Sequence, residues 1–180
     1  MTTYIALLRG INVGGHRVKM EELRRLFAEL GLANVRTYIQ TGNVFFASDE
    51  PDRAALTARI EQHLAQALGY AVPTFLRTPD ELEELLTLNA FGHLAVTDNM
   101  RLCLMLLKEP APTGLSLPLL SPKGDMEIIH LTGHEAFVVW HLLDGRAPAG
   151  TTFLDKLLGR QTTTRFLHTT AKILEAARQG

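Results

Sequence analysis

The stretch that decides the fold reads Tyr4-Ile5-Ala6-Leu7-Leu8-Arg9-Gly10-Ile11-Asn12-Val13-Gly14-Gly15. Its first half is a short apolar run, which is typical of a buried strand. The run breaks at Arg9-Gly10 into a polar loop that is rich in glycine. We therefore predict a strand that delivers this loop to one edge of a sheet.

The segments after the loop alternate between helical and strand patterns. They predict a helix over about 19–30, strands at 35–40 and 44–47, a helix capped by Ser48 or Asp49, and a fourth strand at 72–77. Thr41-Gly42-Asn43 is a hairpin signal between the second and third strands. The resulting order is that of a split βαβ sandwich. Residues 1–78 are therefore predicted to be a ferredoxin-like subdomain of an α+β protein.

The rest of the chain predicts a connection and a second subdomain. Thr78-Pro79-Asp80-Glu81 is a capping box that starts a connecting helix, so residues 79–99 form that helix and a linker. The apolar run 100–108 predicts a central strand, and Thr132-Gly133 lies at the turn of a second hairpin. A last helix is expected from about Arg165 to Arg178, without a clear final strand. Residues 100–180 thus predict a degenerate α+β subdomain.

Composition restricts the function classes. The chain has 180 residues, of which 46% are hydrophobic and 21% charged, so it is globular rather than disordered. A net charge of -1 gives no overall reason to expect nucleic acid or an anionic membrane as partner. The single cysteine, Cys103, excludes an internal disulfide and a cysteine-based zinc site. No apolar run reaches the roughly 18 residues of a membrane span, and no leader pattern is present, so a cytoplasmic location is expected.

The glycine-rich loop and the hairpin loop are predicted to meet at one ligand-binding corner. In a split βαβ sandwich the first and third strands are central neighbours, so the end of one lies beside the start of the other. Backbone N–H groups near a helix start favour an anion, and amide side chains can orient it. The predicted ligand-binding residues are Arg9, Gly10, Asn12, Gly14, Gly15, Lys19, Gln40, Thr41 and Asn43. The alternative is that the glycines satisfy turn geometry and the amides cap loop backbone.

Two charged features are further candidates. Basic residues outnumber acidic ones by three between residues 9 and 36, which fits a phosphorylated ligand, a nucleic-acid end or a solvated helix face. Thr163, Thr164 and Arg165 precede the last predicted helix and form a second candidate anion site. Helix capping by itself explains the threonines but not the arginine.

No catalytic residue, metal site or cofactor is predicted. Gly10 and Gly15 have phosphate-loop spacing, but His16 and Arg17 stand where that loop needs Lys and Ser or Thr. The leading hypothesis is a binding protein for a small anionic, phosphate-bearing ligand. One alternative is an enzyme that uses Arg9 or His16. The other is a structural or partner-binding module that uses an exposed sheet edge or the Trp140 hairpin. The oligomeric state is left open.

The chain resembles a bacterial family of unknown function whose members open with Tyr-x-Ala-Leu-Leu-Arg-Gly-Ile-Asn-Val-Gly-Gly. The resemblance is close over residues 4–15 and again over residues 35–44. It implies two connected subdomains, of which the first is ferredoxin-like, and no established activity. Where the family tends to read Asn-Trp-Asn near the last helix, this chain has Phe166, Leu167 and His168. If the C-terminal half contributes to a site in that family, the resemblance implies that the site is altered or lost in this chain.

Overall fold

The structure is a computed structural model that describes all 180 residues, Met1–Gly180. It contains two antiparallel sheets and five helices, which confirms the α+β class. The chain divides into two compact units, hereafter the first unit (Met1–Glu84 with Lys172–Gly180) and the second unit (Leu85–Ala171). This division differs from the sequence-based one, which placed the C-terminal segment with the second subdomain. None of the helices has the length and apolar character that a membrane crossing requires.

The first unit has the predicted order of elements. These are β1 (Thr2–Leu8), α1 (Met20–Glu29), β2 (Ala33–Thr37), β3 (Asn43–Ser48), α2 (Arg53–Leu68), β4 (Thr74–Arg77) and the first part of α3 (Pro79–Thr87). The sheet order is β2-β3-β1-β4, with every neighbouring pair antiparallel. β1 and β3 are therefore the central pair, as the split βαβ order predicted.

The core of the first unit explains why its helices form where they do. Leu23, Leu26 and Phe27 repeat at helical spacing along α1, and all three are buried. Leu56, Ile60 and Leu64 form the equivalent stripe on α2. Both stripes pack in one cluster with alternate side chains of β1, because successive side chains of a strand point to opposite faces. This packing fixes the position of the loop that joins β1 to α1.

The helix ends follow the predicted capping chemistry with one correction. The α2 cap is Asp52, whose Oδ1 accepts hydrogen bonds from Ala54 N (2.9 Å) and Ala55 N (3.1 Å), so the expectation of Ser48 or Asp49 was wrong. β3 runs to Ser48, and Asp52 still has an extended backbone with φ -90° and ψ 100°, so the helix begins only at Arg53. The capping box before α3 is present. Thr78 N donates to Glu81 Oε2 at 2.8 Å, and Glu81 N donates to Thr78 Oγ1 at 3.2 Å.

The second unit contains a sheet with the order β6-β7-β8-β5-β9. Its elements are β5 (Met100–Leu107), β6 (Leu119–Leu120), β7 (Met126–Leu131), β8 (Glu135–His141), α4 (Thr152–Leu158), β9 (Thr162–Phe166) and the first part of α5 (Leu167–Arg178). The central position of β5 and the hairpin of β7 and β8 are confirmed.

The final strand is where the sequence-based expectation failed. Thr162–Phe166 pairs antiparallel with β5, so this unit has a final strand and its last helix begins at Leu167 rather than near Arg165. Three successive threonines explain the difference, because their branched side chains suit a pleated strand better than a helix start.

Candidate functional site

The end of β1 and the connection between β2 and β3 lie together, as predicted. Leu7 is opposite Asn43 in the β1–β3 ladder, and Leu8 N donates to Gly42 O at 2.8 Å. The N–H of Arg9 donates to Pro73 O at 3.0 Å, which attaches the start of the glycine-rich loop to the other neighbour of β1. The two polar loops therefore form one corner of the first unit, hereafter the N-terminal corner.

Asn12 is the residue that fixes the shape of this corner. Its Oδ1 accepts a hydrogen bond from Val18 N at 2.7 Å, and its Nδ2 donates to Val18 O at 3.1 Å and to Gln40 O at 3.0 Å. Both amide hydrogens are thus used on loop backbone. Asn12 also has a φ of 57°, a left-handed conformation that asparagine tolerates better than most residues. Its side chain therefore holds the two loops together.

Gly42 and Asn43 support the corner from the hairpin side. A Cβ on Gly42 would lie 3.0 Å from Leu8 Cβ and 3.2 Å from Ile11 Cβ, so the hairpin backbone packs directly on these side chains. Asn43 is fully buried, and its Nδ2 donates to Tyr38 O at 3.0 Å and to Thr41 Oγ1 at 2.9 Å. Because the Asn43 amide is buried and already hydrogen-bonded, it cannot contact a ligand; it supports the hairpin loop instead.

A cavity of about 550 Å³ opens at this corner and brings together only part of the predicted set. Its walls include Asn12, Lys19 and Gln40, which were predicted, together with Arg17, Val18 and Met20. The other predicted residues, which are Arg9, Gly10, Gly14, Gly15, Thr41 and Asn43, do not line it. Arg17 is the functional candidate that the sequence analysis missed as a site residue. The excess of basic residues between positions 9 and 36, to which Arg17 belongs, was the signal that could have identified it.

The cavity is surrounded by donor groups that the fold does not use. The Lys19 ammonium and the Gln40 amide make no hydrogen bond or ion pair within the chain, and both residues are exposed. The guanidinium of Arg17 uses Nη1 on His16 O (3.0 Å) and Gly14 O (3.4 Å), which leaves its Nε and Nη2 hydrogens available. No carboxylate lines the cavity. The walls thus present positive charge and hydrogen-bond donors to whatever enters.

The start of α1 adds to this field. Lys19 is the N-cap residue, and no side chain accepts a hydrogen bond from the first N–H groups of the helix. Uncapped N–H groups carry the positive end of the helix dipole. The first turn also holds two carboxylates, Glu21 and Glu22. Glu22 is paired with Arg25, and the hydrogen bond from that guanidinium lowers the pKa of Glu22. The negative charge of Glu22 is therefore compensated locally by Arg25.

The remaining predicted residues have local roles around the cavity. Gly10 and Gly14 adopt left-handed φ values of 79° and 59°, while Gly15 does not have a positive φ. Arg9 and Thr41 are exposed. The His16 ring stacks on the Tyr70 ring, with centroids 3.7 Å apart, and burial raises the pKa of Tyr70. This stacking packs the loop against the segment that follows α2.

The second predicted anion site lies in a strand rather than at a helix start. Thr163, Thr164 and Arg165 belong to β9, so the capping premise behind that prediction was wrong. Arg165 Nη1 donates to Thr163 Oγ1 at 2.8 Å and to Thr164 O at 3.0 Å. Burial lowers the pKa of Arg165 to about 10. Its charge at neutral pH is therefore held next to the backbone of its own strand.

Comparison with known proteins agrees with this architecture. The chain is similar to the conserved bacterial protein SP0830 from Streptococcus pneumoniae, with 25% identity, 99% of each chain covered and a TM-score of 0.72. No curated protein matches the chain. A family model with the description "Protein of unknown function (DUF1697)" matches residues 1–137, which include the whole N-terminal corner. Since this match covers most of the sequence, the chain belongs to the DUF1697 family.

Proposed function

We propose that the first unit binds a small anionic, phosphate-bearing ligand in the cavity of the N-terminal corner. The observation that carries the proposal is a cavity of about 550 Å³ around which Lys19, Gln40 and part of Arg17 offer unused donors. Cavities of roughly 300–1,000 Å³ are typical of small-molecule sites. Because no carboxylate lines the walls, an anion meets no direct repulsion there.

The residues divide into two that supply charge, one that orients the ligand and several that hold the loops. Lys19 acts as a point charge, and Arg17 offers a planar pair of donors suited to two phosphate oxygens. The Gln40 amide orients the ligand, while Asn12 and Asn43 keep the two loops in register. The N–H groups at the start of α1 complete the anion field. Sequence reasoning assigned the charge to Arg9 and Lys19, and the cavity walls favour Arg17 in place of Arg9.

A thermal-shift series tests this proposal. The probes are inorganic phosphate, pyrophosphate, ribose 5-phosphate and AMP, each raised to about 100 times its dissociation constant where it binds. Such a ligand stabilises the folded protein by roughly 2.7 kcal/mol. For a chain of this size the midpoint then rises by about 5–10 °C, at about 2–4 °C per kcal/mol.

Three variants locate the site. The double variant Arg17→Gln with Lys19→Gln is expected to abolish the shift. Lys172→Gln is the matched control, since Lys172 is an exposed lysine of the first unit away from the cavity. Arg9→Gln is expected to retain the shift, because Arg9 does not line the cavity. Loss of the shift in Arg9→Gln with retention in the double variant would refute the assignment, as would a flat response to every probe.

A further inference from the structure

A second cavity, of about 430 Å³, lies wholly within the second unit. It is bounded by Leu86 of α3, the start of β5, the end of β9 and the start of α5. Apolar side chains form most of its wall. The two polar side chains that line it, Arg101 and His168, both belong to basic residues. Its lining residues include Met100, Leu102, Phe166, Leu167, Arg101 and His168.

The aromatic part of the wall is held in a fixed orientation. The Trp140 ring meets the Phe166 ring edge-on, with centroids 5.6 Å apart and an interplanar angle of 83°. The His168 ring lies nearly parallel to Phe166, at 5.8 Å and 20°. Offset-stacked and edge-on arrangements are the favoured geometries of aromatic pairs. A flat ring that enters the cavity can therefore extend a stack that already exists.

The polar part of the wall fits a single negative charge. Arg101 Nη1 donates to Asp98 O at 2.8 Å and to Met100 O at 2.9 Å, and these two bonds orient the guanidinium. Its Nε and Nη2 hydrogens, like the His168 ring nitrogens, make no hydrogen bond within the chain. No acidic side chain lines the cavity. An anionic group near Arg101 would meet oriented donors without a competing carboxylate.

We propose that the second unit binds a small aromatic compound with one anionic group, such as an aromatic carboxylate. Its ring lies on the wall formed by Phe166 and His168, in a cavity that Met100 and Leu102 also line. Its carboxylate accepts hydrogen bonds from the guanidinium of Arg101. Phe166, Leu167 and His168 are consecutive residues at the junction of β9 and α5, and all three line this cavity.

A matched ligand series on the full chain tests the inference by titration calorimetry and amide chemical shifts. Indole-3-acetate carries the ring and the charge, indole-3-acetamide carries the ring without the charge, and cyclohexylacetate carries the charge without an aromatic ring. We expect indole-3-acetate to bind about tenfold more tightly than the amide, because a charge-assisted hydrogen bond is lost. Cyclohexylacetate is expected to bind at least about threefold more weakly, because it cannot stack. Shifts should concentrate at residues 100–102 and 166–171.

Variants separate the charge from the cavity. Arg101→Gln should remove the preference for the carboxylate over the amide, and Ala171→Phe, at an exposed rim position, should fill the cavity and abolish binding of both. Arg146→Gln is the control, because Arg146 is an exposed arginine of the second unit that does not line the cavity. The double variant Arg17→Gln with Lys19→Gln should leave indole-3-acetate binding unchanged, which keeps this inference independent of the first site.

Several results would overturn the inference. They are equal affinity for the carboxylate and the amide, equal affinity for indole-3-acetate and cyclohexylacetate, or shifts that map to the first unit. Absence of binding at millimolar concentration would also overturn it. Retention of the carboxylate preference in Arg101→Gln would do the same even if Ala171→Phe failed to fold.

Discussion

The substitution Gly42→Ala is a direct test of how the N-terminal corner is built. Gly42 has a φ of 83°, and a left-handed conformation costs an L-residue roughly 1–2 kcal/mol. The new methyl group would also lie 3.0 Å from Leu8 Cβ and 3.2 Å from Ile11 Cβ, and both neighbours are buried. Overpacking of this kind costs about 1–3 kcal/mol. We therefore expect a loss of about 2–5 kcal/mol in the free energy of unfolding.

Gly10→Ala is the matched control, because it isolates the steric part of that loss. Gly10 has nearly the same φ, 79°, but a Cβ there would meet nothing within 4 Å. All three tyrosines lie in the first unit and the one tryptophan, Trp140, lies in the second. Urea unfolding followed by tyrosine absorbance therefore reports on the unit that carries the substitution. The midpoint should fall more in Gly42→Ala than in Gly10→Ala, with unchanged denaturant dependence. Equal losses in the two variants would refute the packing argument.

Three further predictions concern single residues. Asn12→Gly keeps the left-handed backbone but removes three hydrogen bonds, so the free energy of unfolding should fall by about 1–3 kcal/mol. Hydrogen exchange at Val18 N should become faster. Unchanged exchange at Val18 N would contradict the role of Asn12. Burial raises the pKa of the Cys103 thiol to about 12. Iodoacetamide at pH 8 should therefore modify the native protein far more slowly than the urea-unfolded protein. Equal rates would show that the thiol is accessible in the native protein. Burial by itself raises the pKa of Glu81, but the hydrogen bond and charge of Arg53 and the N–H of the capping threonine outweigh it and lower the pKa below its usual 4.5. Glu81 therefore stabilises the fold at neutral pH and loses this contribution as the pH falls through its folded pKa. In Glu81→Gln, the free energy of unfolding should consequently fall less steeply as the pH is lowered. An unchanged dependence of stability on pH would contradict this.

Local patterns predicted most of the first unit because each element carries its own signal. The apolar spacing of α1 and the capping box at Thr78 depend on neighbours within one or two turns, and the structure contains both. β9 was missed because Thr162–Phe166 has no alternating apolar pattern. It becomes a strand through its pairing with β5, which lies more than 50 residues earlier in the chain. A contact between residues so far apart in the chain cannot be recognised from the pattern of a few neighbouring residues.

The convergence of the two polar loops was predicted, but the side chains that line the cavity there were predicted only in part. The split βαβ order correctly predicted that the end of β1 would lie beside the start of β3, where Leu8 N donates to Gly42 O. It could not predict that Asn12 would direct its amide onto Val18 and Gln40, or that Asn43 would be buried, because side-chain direction depends on the final packing of both loops. The same packing left Arg9 outside the cavity and placed Arg17 in its wall.

The sequence by itself determined the α+β class, the order of elements in the first unit and the convergence of two polar loops at one edge of its sheet. These properties follow from hydrophobic period, caps and strand adjacency, which act over short stretches or through a known strand order. Only the tertiary structure decided which donors remain unused at the corner and where the aromatic cavity of the second unit lies. Both depend on which side chains the backbone has already satisfied, and that is settled only when residues distant in sequence are packed together.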